Sequence, residues 1–172
     1  MDDGLRDEIA RRLGVEVAAT TSVHGGDVAE AHRVDLVDGR RVFAKTHRHP
    51  PRGVFSTEAS GLRWLREADA VGVPVVLAVA DDPPLLVLEW IDEGRPHAAT
   101  DAVLGRELAA LHRSGAPCFG REDRRPTGSR SLSNDPCATW EEFYAERRLR
   151  PLARMARDAD ALEPSVVAGL ER

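Results

Sequence analysis

Two apolar runs separated by a short polar turn restrict the fold of this chain more than any other feature. The first run extends from Val73 to Ala80, the second from Leu85 to Ile91, and Asp81-Asp82-Pro83-Pro84 joins them. Each run has the length and the continuous apolar character of a buried strand. Aspartate and proline together favour a turn. The sequence therefore predicts two buried strands joined by a tight turn.

The residues before these runs predict further strands and one helix. Val34 and Leu36 alternate with polar residues, and Asp38-Gly39, which follows them, has the chemistry of a two-residue type I′ turn. The returning strand carries Lys45 near its end. A segment with helical spacing comes next and predicts about four turns, its apolar positions being Phe55, Ala59, Leu62, Leu65 and Ala68.

Helices are predicted at both ends of the chain. Residues 2–13 form an amphipathic pattern, Thr100 is expected to N-cap a later helix, and Thr139 begins an aromatic helix that Pro151 is expected to kink or break. The predicted order is a helix, about five antiparallel strands with a helix inserted after the third, a polar link, then helices. This is an α+β arrangement in two lobes, residues 1–93 and 94–172.

Composition excludes several classes of function. The chain has 172 residues and a net charge of −5, which gives no electrostatic reason to bind nucleic acid. No apolar run approaches the roughly 20 residues of a membrane helix. The start Met-Asp-Asp-Gly lacks the regions of a secretory signal, and Cys118 and Cys137 lack the spacing of a disulfide framework or zinc site. We therefore expect a cytoplasmic protein without a membrane or nucleic-acid partner and without metal ligands among residues 1–172.

Four features stand in an order that suggests phosphate chemistry. Gly25-Gly26 separates two strands, Lys45 lies on the next, Glu58 lies on the first turn of the inserted helix, and residues 86–91 precede the link. Glu58 shares a helical face with apolar residues, and a carboxylate that points inward is costly unless paired. Lys45, the only lysine among 24 basic residues, is the nearest cation by topology. Taken singly, these features also fit a turn, a surface lysine and a buried strand.

Six segments together resemble the fructosamine kinase (ketosamine-3-kinase) family, which is related to the aminoglycoside and choline phosphotransferases. They are GGDVAEAHRV (25–34), VFAK (42–45), FSTEASGL (55–62), LVLEWI (86–91), LGRELAALH (104–112) and TWEEFYAERRL (139–149). The resemblance implies a protein-kinase-like two-lobe fold, with an ATP-binding N-lobe at 1–93 and the start of a helical C-lobe at 94–172. It also implies ATP- and Mg²⁺-dependent phosphorylation of a sugar hydroxyl on a small glycated amine.

The resemblance assigns roles to individual residues. Lys45 would bind the α- and β-phosphates of ATP, Glu58 would hold Lys45 by an ion pair, and Gly25 and Gly26 would belong to the nucleotide loop. A compact ammonium suits the lysine position because it can bridge a carboxylate and phosphate oxygens as a point charge. The hinge that hydrogen-bonds adenine would be the main chain of Glu89, Trp90 and Ile91.

The catalytic part of the family pattern does not follow Trp140. Phosphoryl transfer in this superfamily needs an Asp in a His-Gly-Asp loop, a nearby Asn and a second Asp for Mg²⁺, and residues 141–172 contain no such loop. The catalytic Asp and the Mg²⁺ ligands are therefore expected beyond Arg172, and residues 1–172 alone are expected to be inactive. The alternatives are a non-catalytic nucleotide-binding or interaction module and an aminoglycoside- or choline-type phosphotransferase. The sequence leaves the oligomeric state open.

Two clusters in the second lobe have plainer interpretations. Trp140, Phe143 and Tyr144 are expected in a core, although the family places this region beside its sugar site, so that contact with substrate is the alternative. The basic residues Arg147, Arg148, Arg150 and Arg154 are expected to form a solvated helical face.

Overall fold

The computed structural model describes residues 1–23, 29–121 and 132–170. The chain divides into two compact units, Met1–Ser114 and Gly115–Arg172. The lobe boundary expected after residue 93 stays a prediction. None of the helices in the described ranges has the length and hydropathy that crossing a membrane requires.

A five-stranded antiparallel sheet forms the centre of the first unit. Its strands are β1 (Val17–Val23), β2 (Glu30–Leu36), β3 (Arg41–Thr46), β4 (Val76–Asp81) and β5 (Pro84–Glu89), in the spatial order β1-β2-β3-β5-β4. The number of strands and the antiparallel arrangement confirm the prediction. The apolar runs contribute shorter strands than predicted. β4 begins only after Pro74, because proline has no N–H to donate to a ladder, and β5 ends at Glu89 and not at Ile91.

The first unit also contains three helices: α1 (Asp3–Leu13), α2 (Val54–Glu67) and α3 (Thr100–Ser114). Asp2 caps α1 by accepting the Leu5 N–H at 2.8 Å. The inserted helix α2 lies between β3 and β4 in sequence, as predicted. Thr100 does not cap α3 as expected, because its hydroxyl accepts the His97 N–H at 2.9 Å from within the first helical turn.

The sheet buries side chains on both faces, as the continuous apolar runs predicted. Side chains of alternate residues on β5 point to opposite faces. Leu85 and Val87 pack with Leu5 and Ile9 of α1. On the other face, Leu86 and Leu88 pack with buried side chains of α2, Phe55 and Ala59. The position of α2 is therefore set by the second face of β5.

Two further predicted details of the first unit are wrong. The turn after β2 has three residues, because the Gly39 N–H donates to the Leu36 carbonyl at 3.0 Å while Leu36 donates to Arg40 at 2.9 Å. In this turn Gly39 has a positive φ of 86° and Asp38 does not, whereas a type I′ turn needs both. Leu65, expected on the inward face of α2, is exposed.

The second unit contains a helical segment and an isolated bridge. The helices are α4 (Trp140–Tyr144), α5 (Arg150–Asp158) and α6 (Pro164–Leu170), and a π-helical turn, Ala145–Leu149, joins α4 to α5. The helical segment continues past Pro151, so of the expected kink or break, the break is wrong. Proline removes one N–H and crowds the preceding turn, and the wider π-helical turn directly before α5 accommodates both effects. A bridge between Phe119 and Cys137 stands before these helices.

Candidate functional site

Lys45 and Glu58 form a two-point ion pair between β3 and α2. The Lys45 Nζ lies 2.8 Å from Oε1 and 2.9 Å from Oε2 of Glu58. About a third or less of each side chain is exposed, 27% and 34%, so the pair is partly buried and reachable from solvent. The predicted pairing is confirmed, although Glu58 lies on the second turn of α2 and not the first, since the helix begins at Val54.

Two further contacts fix the end of α2 that carries Glu58. Phe55 and Ala59 are buried against Leu86 and Leu88, which places the intervening turn over the sheet. The Ser56 hydroxyl lies 2.8 Å from both carboxylate oxygens of Asp81, at the end of β4. Neither Ser56 nor Asp81 was singled out from the sequence, because the contact depends on how a helix and a strand end meet.

The ammonium group of Lys45 keeps capacity for a ligand. Lysine has three N–H donors, and the contacts with Glu58 use two of them. In the part of the chain that the structure describes, no further hydrogen bond from this nitrogen is found. The arrangement can therefore hold an anionic oxygen beside a carboxylate that fixes the lysine.

An apolar strip of the sheet accompanies Lys45 on the same face. Residues directly opposite each other in antiparallel strands point to the same side, and Lys45 stands opposite Ala31 and Leu86. Phe43, two residues before Lys45, stands opposite Leu88 and shares this face. Ala31 is buried and Phe43 is half-buried. Leu86 and Leu88 are covered by α2, so Phe43 is the member of this strip that keeps exposed apolar surface beside Lys45.

The proposed hinge begins where β5 ends. The Glu89 N–H donates to the Val75 carbonyl at 2.9 Å, and the Glu89 carboxylate accepts the Val75 N–H at 3.1 Å. The side chain of Glu89 is thereby engaged within the fold. Trp90 and Ile91, predicted as strand, lie beyond β5, and no backbone–backbone hydrogen bond from them is found in the described ranges. Their main-chain groups are available to a ligand.

Gly25 and Gly26 lie outside the described residues. They stand in sequence between β1 and β2, and the ladder of these two strands reaches Val23 and Ala31. Ala31 is the residue opposite Lys45. The predicted nucleotide loop thus connects two strands whose adjoining ends are next to Lys45 in the sheet, and its role stays a prediction.

The second unit corrects two expectations. Only Phe143 of the three aromatic residues is buried, whereas Trp140 and Tyr144 are 52% and 42% exposed and stack with ring centroids 5.2 Å apart. Arg148 is not part of a solvated face: its guanidinium donates to the Asn134 side-chain oxygen at 2.7 Å and lies 4.5 Å from the centre of the Phe143 ring. A planar guanidinium can satisfy an amide and stack on a ring together.

Acidic residues do not assemble into a metal site in the described ranges, where no group of three or more His, Cys, Asp or Glu side chains could hold a metal ion. Asp158, at the end of α5, accepts hydrogen bonds from its neighbour Arg157. Asp160 has a positive φ of 53° beyond that helix. No hydrogen bond from a histidine or an asparagine to either carboxylate is found among the described residues.

Comparison with known proteins agrees with this geometry. The family model of fructosamine kinase matches residues 3–167. The chloroplastic protein-ribulosamine 3-kinase of Arabidopsis thaliana is 32% identical over 148 residues, which cover 83% of this chain and 45% of that protein. The chain spans about half the length of the curated relatives it matches.

Solved structures show the same fold. A Thermobifida fusca protein assigned as a fructosamine-3-kinase superposes with a TM-score of 0.87 at 34% identity, covering 98% of this chain and 59% of that one. The APH(2″)-IIa complex with streptomycin and ATP superposes with a TM-score of 0.56 at 10% identity, covering 99% and 56%. The second likeness concerns the fold alone. A kinase-like sheet, the lysine–glutamate pair and a family match over nearly the whole length lead to one assignment: this chain belongs to the fructosamine kinase family.

Proposed function

We propose that this chain binds ATP as part of a kinase that phosphorylates a sugar hydroxyl on a small glycated amine. The observation that carries the proposal is the contact of the Lys45 Nζ with both oxygens of Glu58. In protein-kinase-like enzymes such a pair orients the lysine toward the α- and β-phosphates. The Arabidopsis relative is a ribulosamine kinase by name, which supports a ketoamine as the substrate class.

The residues of the first unit fit the parts of ATP. The remaining N–H of Lys45 can donate to phosphate oxygens, and Glu58 prevents the ammonium from turning away. The half-buried Phe43 offers an apolar surface for adenine on the same face of the sheet as Lys45. The main chain of Trp90 and Ile91, with the carbonyl of Glu89, can donate to and accept from the edge of the base, since hinge contacts need backbone groups and not particular side chains. The Glu89 N–H already donates to the Val75 carbonyl. Gly25 and Gly26 would contribute main-chain N–H groups to the phosphates.

The described residues offer no preformed Mg²⁺ site of several protein ligands. Mg²⁺ is usually bound through one or two carboxylates together with substrate phosphates, and the described ranges contain no group of three or more His, Cys, Asp or Glu side chains that could hold a metal ion. The His-Gly-Asp loop of the superfamily is also missing from residues 141–172. We therefore expect residues 1–172 to bind nucleotide without transferring its phosphoryl group.

The exposed aromatic pair of α4 favours a substrate contact over the expected core position. Trp140 and Tyr144 present stacked rings at a surface, and aromatic rings suit the apolar faces of sugars and the cationic amines attached to them. We propose that this pair contributes to the substrate side of the enzyme. A non-catalytic nucleotide-binding module is the second candidate.

Binding and turnover assays test the proposal. Titration calorimetry with ATP on residues 1–172 should show binding that weakens in Lys45→Ala, while incubation with ATP and a fructosamine should yield no phosphorylated product. Absence of ATP binding would contradict the nucleotide site. The kinase and the non-catalytic module are distinguished by the reading frame after codon 172: an in-frame His-Gly-Asp with a following Asn supports the kinase, and its absence supports the module.

A further inference from the structure

The segment after β5 is held by the carboxylate of Asp92. Its Oδ1 accepts the indole Nε1–H of Trp90 at 2.9 Å. The same carboxylate pairs with Arg41, the first residue of β3, at 3.1 Å for Nη1–Oδ1 and 3.3 Å for Nη2–Oδ2. The Asp92 side chain therefore makes one contact within the hinge segment, with Trp90, and one contact with the neighbouring strand β3, at Arg41.

The contacts of Asp92 lie beyond the last residue pair of the β3–β5 ladder, where no ladder hydrogen bonds hold the chain. The β3–β5 ladder ends at the pair Val42 and Glu89, so Trp90 and Ile91 have left the sheet. Glu89 is fixed by Val75 on one side. On the other side the segment is fixed by Asp92, and the two residues between these anchors carry the main-chain groups proposed to meet adenine.

Two hydrogen bonds to a planar ring require a backbone held in one orientation. A segment without ladder bonds can rotate its peptide groups at little cost, and each misaligned donor or acceptor weakens steeply with angle. The contacts of Asp92 with Trp90 and Arg41 restrict this rotation. A ligand that needs the hinge then binds without first ordering it, which raises affinity by reducing the entropy lost.

We propose that Asp92 is a positioning residue that preorganises the hinge for the adenine end of a nucleotide. This inference rests on the proposed function, since it names the element that shapes the adenine part of the same site. Arg41 and Lys45 are four residues apart on β3, about 13 Å at the usual rise of a strand. Loss of Asp92 should therefore affect recognition of the base and leave recognition of the phosphates unchanged.

Titration calorimetry with two ligands tests this separation. Binding of ATP and of inorganic tripolyphosphate is measured for the unsubstituted chain, Asp92→Ala, Asp92→Asn and Trp90→Phe. Asp38→Asn is the matched control, because Asp38 forms an exposed pair with Arg40 at 2.7 Å elsewhere on the sheet. We expect Asp92→Ala to weaken ATP binding about three- to tenfold, the size of a lost exposed charged contact, with tripolyphosphate binding unchanged.

The two conservative variants should give smaller losses for ATP. Asn at position 92 can still accept the indole N–H but loses the charge pair with Arg41, and Phe at position 90 loses only the indole donor. Equal loss of ATP and tripolyphosphate affinity in Asp92→Ala, or ATP affinity equal to that of Asp38→Asn, would overturn the positioning role and leave the nucleotide site standing. Failure of the unsubstituted chain to bind ATP would overturn both.

Discussion

Lys45 and Glu58, thirteen residues apart in sequence, meet through two hydrogen bonds of 2.8 and 2.9 Å between a strand and the helix packed on it. The contact leaves the pair partly open to solvent. An exposed ion pair of this kind contributes about 0–1 kcal/mol to stability. The pair therefore contributes little to stability, as expected if its role is the proposed binding of a ligand by the lysine.

Removing the ammonium group should weaken nucleotide binding far more than it destabilises the fold. We expect Lys45→Ala to raise the Kd for ATP at least about tenfold, equivalent to about 1.4 kcal/mol, and Lys45→Arg to weaken it as well, because a planar guanidinium cannot share a carboxylate and phosphates in the same way. Calorimetry measures both. Arg48→Ala is the control, since Arg48 lies three residues on, is 82% exposed and pairs with Glu30. If Lys45→Ala bound ATP as tightly as Arg48→Ala, Lys45 would be an ordinary surface lysine without a role in nucleotide binding.

Ser56 should matter for ATP binding although it is not expected to touch the nucleotide. Its hydroxyl bonds to Asp81 and anchors the turn of α2 that presents Glu58. We expect Ser56→Ala to lower the free energy of unfolding by about 1 kcal/mol, the usual value of one hydrogen bond, and to weaken ATP binding severalfold.

Urea unfolding and calorimetry measure the two effects, with Ser56→Thr as the variant that should retain the bond. Ser114→Ala, which removes a hydroxyl bond at the end of α3, should lose stability without losing ATP affinity. Unchanged ATP affinity in Ser56→Ala would show that α2 does not need this anchor.

The sheet and the lysine–glutamate pair could be predicted because they follow from short-range periodicity. Alternation on the strands places Lys45 on one face, and the spacing of Phe55 and Ala59 turns Glu58 toward that face. Continuous apolar runs indicated burial on both faces, which α1 and α2 supply.

Contacts made by irregular segments could not be predicted in this way. Asp92 reaches Arg41 across 51 positions of sequence, and nothing in the periodicity of either segment connects them. Arg148 looked like one of several exposed arginines on a helix, and only the fold of the second unit brings Asn134 and Phe143 to it. The predicted type of the turn at Gly39 was wrong because Asp38-Gly39 suits two turn types. Which type forms depends on how the flanking strands pair.

The stability of the first unit should fall as the pH drops from about 7 to 5. His32 is buried on the sheet, its Nε2 has no hydrogen-bond partner in the described ranges, and burial lowers its pKa below the ordinary value, with the amino group of Met1 acting in the same direction and Glu30 opposing it. The unfolded chain takes up a proton near pH 6.5, whereas the folded chain does so only at lower pH. Stability is thus full above pH 6.5 and is lost as the pH falls.

Urea unfolding at several pH values checks the effect of His32. We expect the decrease toward pH 5 to be smaller in His32→Gln than in the unsubstituted chain, and to be unchanged in His112→Gln, whose histidine is exposed. Glu8 does not titrate in the folded chain between pH 5 and 7, because hydrogen bonds from Arg11 and Arg12 lower its pKa to about 2. Equal pH dependence in His32→Gln and the unsubstituted chain would exclude His32 as the source.

Arg148 should prove structural, unlike Arg150. It donates to Asn134, which is buried, and to the Ser133 carbonyl at 2.9 Å. Arg148→Ala leaves the Asn134 side-chain oxygen without this partner, and a buried acceptor left unpaired costs about 1–3 kcal/mol. Arg150, two residues on, pairs with Glu146 at the surface, and Arg150→Ala should change stability by no more than about 0.5 kcal/mol. Urea unfolding of the full chain is followed by the fluorescence of Trp140 after Trp64→Phe and Trp90→Phe remove the tryptophans of the first unit. The larger loss should appear only for Arg148→Ala. Similar losses in both variants would mean that Arg148 belongs to the solvated face that its sequence neighbours suggested.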